Sequence, residues 1–257
     1  MDNGHLFLSG IRETRMFRHR EINGSIKTCT IKKDKVGDWW ACFSVEEDGI
    51  PRKVLRTVIG IDLGLENLAV LSTDETIGNP RFLRKQRDLR RKKTGSHNRE
   101  KARIKLAGVE RRIEFKRNDF LHKVSRDISR KVDVVIFEDL NIKNMVQNHG
   151  LAKSISDASW GRLVQYTCYK VEETGGEVVL VDPRNTTQKC PRCGEIVHKI
   201  LSQRIHMCPH CGLTADRDYN ASLNILRSGW NTALVPAEKA ALPAKATAFF
   251  ETGSLEL

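Results

Sequence analysis

The sequence predicts an α/β protein: a sheet with helical crossovers, carrying a small metal ribbon and preceded by a β-hairpin segment. Three observations point there. Apolar, β-branched runs at Val58–Ser72, Val132–Asp139 and Glu177–Val181 have the length and composition of buried strands. Segments with apolar residues at helical spacing separate the first run from the second and the second from the third. Two Cys-x-x-Cys pairs follow the last run.

At 257 residues, 39% of them hydrophobic, the chain can bury a sizeable core. No apolar run reaches bilayer length, and the first ten residues lack the basic and apolar regions of a secretory signal. A cytoplasmic protein with no membrane partner is expected. The formal net charge is +12, and it is concentrated. Arg81 to Lys131 holds 20 Lys and Arg against 6 Asp and Glu, whereas the rest holds 24 against 26. A surface that meets a polyanion carries its charge this way; an ordinary solvated helix face mixes signs.

Residues 1–22 show no strong period. Gly24–Lys33 and Asp38–Glu47 read as an antiparallel hairpin turning through Asp34-Lys35-Val36-Gly37. That register sets Cys29 opposite Cys42, both expected as thiols. Trp39 and Trp40 are expected in the core of a small β-barrel, of which residues 1–53 would form part.

The main core is expected over 54–187. A tight turn at Gly64 joins two strands, and Asp62 stands in the first among Val58, Ile59, Ile61 and Leu63. A carboxylate in a buried strand is costly without a partner or a cation, so Asp62 is a candidate metal ligand. The plain alternative is a turn aspartate before a glycine. The basic segment follows, broken at Thr94-Gly95-Ser96, and runs into a helix with Leu106, Val109, Ile113, Phe120, Val124 and Ile128 on one stripe. Its opposite face offers charge to phosphates. Candidate nucleic-acid contacts are Arg87, Arg90, Arg91, Lys92, Lys93, Arg99, Lys101 and Arg103. Val132–Asp139 is near-continuously apolar until Glu138, which repeats the Asp62 arrangement. Ser159–Thr174 reads as a helix, with Ser159 as cap and Gly175-Gly176 as stop.

Cys190-Pro-Arg-Cys193 and Cys208-Pro-His-Cys211 supply four thiolates at the spacing of a ribbon that binds Zn²⁺ tetrahedrally, expected over 188–213. With four thiolates present, His198, His206 and His210 read as non-ligands, and Cys168 as a small buried hydrophobe. Asp216-Arg217-Asp218-Tyr219-Asn220 then enters an amphipathic helix within 214–230. An acid at a helix start is also a routine cap. Residues 231–257, rich in Ala and Pro, are expected to be loosely ordered.

Isolated acids at the ends of two strands and a helix, beside a basic surface, suggest metal-assisted phosphodiester hydrolysis. Mg²⁺ suits the hard carboxylates and Zn²⁺ the soft thiolates.

Gly60-Ile61-Asp62-Leu63-Gly64, Phe137-Glu138-Asp139-Leu140-Asn141, the Cys pairs and Asp216-Arg217-Asp218-Tyr219-Asn220 resemble the RuvC-like nuclease domain of TnpB proteins. These are transposon-encoded relatives of type V CRISPR effectors. The basic stretch from Arg90 to Arg99 is similar to the family's as well, and the resemblance covers about residues 20–230. It implies an RNase H-like fold in which Asp62, Glu138 and Asp218 are the catalytic, Mg²⁺-binding acids. It further implies a guide RNA, a DNA target, and a zinc ribbon inserted before the last acid. In the family pattern the second Asp of Asp-Arg-Asp is catalytic, hence Asp218 rather than Asp216. Family members carry most of a wedge β-barrel and a helical insertion upstream of the nuclease domain. Only the closing hairpin of such a barrel is recognisable here, which implies a chain shortened at its amino end. The alternative reading is therefore a cleavage-impaired nucleic-acid-binding remnant. Gly-Ile-Asp-Leu-Gly also opens actin-like ATPases, but that resemblance explains neither the Cys pairs nor the basic segment.

Overall fold

The computed structural model describes residues 4–9, 12–18, 21–46, 51, 55–83, 99–200, 202–234 and 248–256. In chain order these form β1 (His5–Leu8), β2 (Arg12–Met16), β3 (Ser25–Lys33), β4 (Trp39–Glu46), β5 (Val58–Leu63), β6 (Asn67–Leu71) and β7 (Thr76–Gly78). Then come α1 (Arg99–Lys131), β8 (Val134–Glu138), α2 (Ile142–Met145), α3 (Ala152–Ala158), α4 (Trp160–Glu172) and β9 (Glu177–Val181). The chain closes with β10 (Ile205–Met207), β11 (Thr214–Asp216), α5 (Arg217–Leu234) and β12 (Ala248–Glu256). Two compact units result: Met1–Gly49 with Leu89–Phe115 and Lys239–Leu257, and Ile50–Asp88 with Lys116–Glu238. The sequence assigns the whole basic helix to the larger core; the structure divides α1 between the units after Phe115.

The larger unit is built on a sheet of order β7-β6-β5-β8-β9. β6 runs antiparallel to both of its neighbours, β5 and β7, as the short turns between them require, and β8 and β9 join parallel to β5 through helical connections. Side-chain alternation along β8 divides the core in two. Val135 and Phe137 point to the side where Leu121 and Ile128 of α1 and Leu163 and Val171 of α4 are buried. Val134 and Ile136 point to the other side, against Val179, Val181 and Ile225 of α5. Burial on both faces is why this run carries no polar alternation.

α5 lies on the sheet almost backbone to backbone. A Cβ at Gly60 would overlap the Ser222 carbonyl oxygen and the Leu226 amide, and one at Gly229 would stand 2.6 Å from Ile136 Cγ2. Both glycines are there because nothing larger fits. Ser159 departs from its expected role as cap. It sits at φ +54° between α3 and α4, and its hydroxyl donates to the Ser156 carbonyl rather than into α4.

In the smaller unit, the β3–β4 hairpin belongs to a five-stranded sheet of order β1-β2-β12-β4-β3. Its turn is held by Asp34 Oδ1, which accepts from the N–H groups of Val36, Gly37 and Asp38. Arg111 pairs with Asp34 and Asp38. Burial pushes the Asp34 carboxyl up, but Arg111, Trp40 and the turn amides outweigh it and bring the pKa to about 2. Leu6, Met16, Ala41, Phe43 and Val45 form the core, with Trp39 against it.

Two expectations are corrected here. The hairpin closes with Lys33 opposite Trp39 rather than Asp38, which sets Thr30 opposite Cys42 and Cys29 opposite Phe43, so the two thiols are not a direct pair. Residues 248–256, expected to be loosely ordered, form β12 between β2 and β4; residues 235–247 of that tail lie outside the described residues.

Candidate active site

Ile61 pairs with Phe137 in the parallel ladder, so Asp62 and Glu138 are the next residues along neighbouring strands. Asp62 follows Gly60 by two residues and Glu138 follows Ile136 by two. Both therefore emerge on the α5 face. The close approach at Gly60 fixes Ser222 above β5, and Asp218, one helical turn earlier, comes over Asp62. Two strands and one helix thus deliver three carboxylates to one place.

The electrostatics register that proximity. Asp62 is 8% exposed, and no hydrogen-bond donor among the described residues reaches its carboxylate. Burial, then the negative charges of Glu138 and Asp218, push its pKa up to about 8, with Arg217 offsetting part. Burial also raises Glu138, while a hydrogen bond from Thr186 works the other way. The three acids do not gather as closely as the thiols described below. Glu138 is engaged by Thr186, and Asp218 faces Arg217 Nε at 3.1 Å and Arg204 Nη1 at 3.6 Å. A buried, mutually repelling set of hard oxygen donors fits a divalent cation.

Asp216 has a different task. Its Oδ1 accepts from the N–H groups of Asp218 and Tyr219 at 2.8 and 3.1 Å, capping α5. Arg204, which the sequence did not single out, reaches Glu66 at 2.8 Å as well as Asp218, and its carbonyl accepts the Arg217 N–H. Asn220, known from the sequence only as part of the acidic motif, and Asn224, which the sequence does not single out, have a further role. They lie one turn apart on α5, are buried, and donate to the carbonyls of Thr186 and Lys189. Two amides at i, i+4 among apolar helix residues were the available signal; Thr186, a loop residue, gave none.

The four cysteines converge. Cys190, Cys193, Cys208 and Cys211 place their sulfurs within 4.8 Å of one another, with Cys190 to Cys211 at 3.6 Å and Cys193 to Cys208 at 3.5 Å. Four sulfurs each about 2.3 Å from a central Zn²⁺ would stand about 3.8 Å apart, so the set fits a tetrahedral metal. Burial raises the Cys190 thiol, yet the N–H groups of Cys193 and Arg192 outweigh it and hold it at about 7. The N–H groups of Cys211 and His210 do the same for Cys208, leaving it below the usual thiol range. His206 is fully buried beside Lys199 and is not among the gathered ligands, nor are His198 and His210. β10 leads from the first cysteine pair into the second, and β11, paired antiparallel with it, carries the chain on to Asp216.

Of the candidate phosphate contacts, Arg87, Arg90, Arg91, Lys92 and Lys93 lie outside the described residues. Arg99 and Lys101 fall in the first turn of α1, and Arg103 is exposed further along it. Other basic residues of α1 meet the protein's own acids. Arg117 binds buried Asp157 at 2.7 Å, Lys123 pairs with Asp119, and Lys131 with Glu75 and Asp127. Part of the charge excess is therefore structural.

With this geometry in hand, two family models match the chain. One, described as "Probable transposase", covers residues 42–149, and the other, "Cas12f1-like, TNB domain", covers residues 160–225. A putative RNA-guided DNA endonuclease of Streptomyces pristinaespiralis is 40% identical over 212 residues, 79% of this chain and 52% of that protein. The putative RNA-guided DNA endonuclease InsQ of Escherichia coli (strain K12) is 30% identical over 254 residues, 89% of this chain and 63% of the relative. The chain thus spans between about half and two thirds of these relatives' length. A cryo-EM structure of a CRISPR-Cas12f ternary complex superposes with a TM-score of 0.54 over 84% of this chain and 45% of the other, at 20% identity, a likeness of fold. No helix among the described residues is long and apolar enough to cross a membrane.

Proposed function

Because the resemblance to TnpB and Cas12f1-type nucleases runs through both matched regions of the chain, we propose that it is a DNA endonuclease of RuvC type, guided by RNA and dependent on divalent metal. The larger unit would then be an RNase H-like core, its strand order of three antiparallel and two parallel strands agreeing with that fold. The single observation that carries the reading is the buried Asp62 carboxylate, raised to a pKa of about 8 beside Glu138 and Asp218. Acids forced together against their own repulsion are held for a purpose other than stability.

Asp62, Glu138 and Asp218 would hold the metal, with Mg²⁺ suited to their oxygens. Bound there, divalent cations activate water and stabilise the leaving oxygen of a phosphodiester. Asp62 supplies the most desolvated ligand, and Glu138 a second from the adjacent strand. Asp218 is set by the α5 cap and by Gly60. Arg204 and Arg217 hold Asp218 from the other side. Cys190, Cys193, Cys208 and Cys211 would hold a structural Zn²⁺. A guide RNA and a DNA target are the partners the relatives' names suggest, with Arg99, Lys101 and Arg103 among the phosphate contacts.

The test is cleavage of labelled DNA by the purified chain with its co-purifying RNA and Mg²⁺. Cutting that is lost in Asp62→Ala, Glu138→Ala and Asp218→Ala, with nucleic-acid binding retained, is the expected result. Cutting that survives Asp218→Ala but not Asp216→Ala would reassign the third ligand. Binding without cutting in the unaltered chain would favour the cleavage-impaired remnant.

A further inference from the structure

Glu138 is held from one side by a residue outside every motif. Thr186 lies in the turn between β9 and Cys190, is 6% exposed, and sets its hydroxyl 2.5 Å from Glu138 Oε1. That hydroxyl has one proton and a second acceptor in reach, the Pro183 carbonyl at 3.1 Å. The nearer, charged oxygen takes it, giving a charge-assisted bond.

The turn is itself clamped. Asn185 adopts φ +63°, and its carbonyl accepts from the N–H groups of Gln188 and Lys189. The Thr186 carbonyl accepts from Asn224 Nδ2 at 2.8 Å and Asn220 Nδ2 at 3.4 Å. The Lys189 carbonyl accepts from the same two amides at 2.6 and 3.0 Å. Both amides sit on α5 directly after Asp218, so the helix that carries one acid grips the loop that orients another.

A glutamate at a strand end has three rotatable bonds, and burial alone does not choose among its rotamers. Oε1 is engaged by Thr186, and no other hydrogen-bond donor among the described residues fixes the Glu138 carboxylate. We propose that Thr186 is a positioning residue: it selects the Glu138 rotamer that binds the divalent cation, and Asn220 and Asn224 hold it in place. This rests on the nuclease reading above. Donors behind a ligating side chain are typically worth about 10–100-fold in metal affinity.

The experiment measures Mn²⁺ binding to the full, zinc-containing chain by calorimetry. The variants are Thr186→Val, Thr186→Ser, Glu138→Gln and the Thr186→Val/Glu138→Gln pair. Thr186→Val is expected to weaken binding at least about tenfold, and Thr186→Ser to stay within about threefold of the unaltered chain. In the Glu138→Gln background, Thr186→Val should change nothing further, the mark of action through Glu138. Thr186→Ala, which cannot crowd the turn, repeats the measurement if the valine disturbs folding. Normal affinity in both Thr186→Val and Thr186→Ala overturns the proposal, as does an equal loss with and without Glu138. If Glu138→Gln itself leaves Mn²⁺ affinity unchanged, the nuclease reading falls and this proposal with it. Weak binding in Glu138→Gln with normal binding in the Thr186 variants removes Thr186 alone.

Discussion

Gly60 lies so close beneath Ser222 that a single added methyl group would overlap the serine's carbonyl oxygen, and it would stand 2.8 Å from Leu226 Cα. Backbone, unlike a side-chain tip, has no rotamer to escape into. Gly60→Ala should therefore lift α5 from β5 and destabilise the protein by about 3 kcal/mol, the upper part of the range for overpacked cores. It should also move Asp218 away from Asp62. A urea midpoint unchanged in Gly60→Ala would show that the helix does not rest on this contact.

The raised pKa of Asp62 makes a prediction about pH. Its folded value is about 8, against about 3.9 for an unfolded aspartate. Between those values the folded state keeps a proton that the unfolded state has lost, so stability falls as pH rises from about 4 to about 8. Glu138, also raised, acts in the same direction. Asp34, lowered to about 2, works oppositely, but its contribution is complete by about pH 5. In chelator-treated protein Asp62→Asn should flatten the decline by at least about 1 kcal/mol between pH 5 and pH 8. Urea denaturation at those two values is the check. The same slope in the variant would mean that Asp62 is not the titrating group.

The four-sulfur cluster should contain one zinc per chain. Structural zinc supplies folding energy to the segment that binds it. Cys193→Ala should lose the metal and speed proteolysis within residues 190–213, with little change in the sheet of the larger unit. Elemental analysis finding no zinc in freshly purified chain would contradict this.

Nucleic-acid binding should depend steeply on salt. Six or more phosphate contacts lower affinity by about 10³-fold or more between 50 and 200 mM salt. Neutralising Arg90, Arg91, Lys92 and Lys93 together should reduce that slope, whereas Arg117→Gln should leave it unchanged and instead lower stability, because Arg117 is committed to Asp157. An Arg117→Gln slope reduced as much as that of the fourfold variant would put Arg117 among the phosphate contacts.

What could be read in the sequence was what local chemistry writes there. Asp62 and Glu138 stood out because each interrupts an apolar strand, and the cysteine spacing needed no fold to interpret. The order of strands and helices followed from periodicity. Contacts made at long range left no local mark. Gly60 belonged to a recognisable motif, but its role depends on a helix more than 150 residues later. Thr186 meets Glu138 across 48 residues, and a threonine in a loop looks like any other. β1 and β2 are short, with few buried positions to set a period, and β12 is a strand only because β2 and β4 are waiting for it. Asp216 and Asp218 both suit a helix start; the family pattern points to Asp218 for the acid set, and the capping role of Asp216 is what the coordinates add.

The grip of Asn220 and Asn224 on Thr186 and Lys189 has a consequence for the segment it encloses. On the entry side the polypeptide is tied to α5 just before Cys190; on the exit side the Arg204 carbonyl ties it to the Arg217 amide. The ends of the excursion are thus closed by the core itself, and the chain between them bears little of the entropy of closure. Doubling such a loop costs only about 0.6 kcal/mol once its ends are joined. The ribbon is in this sense an exchangeable cassette: its length, its exposed face and even its metal could be altered or replaced while the stem keeps Glu138 and Asp218 in register.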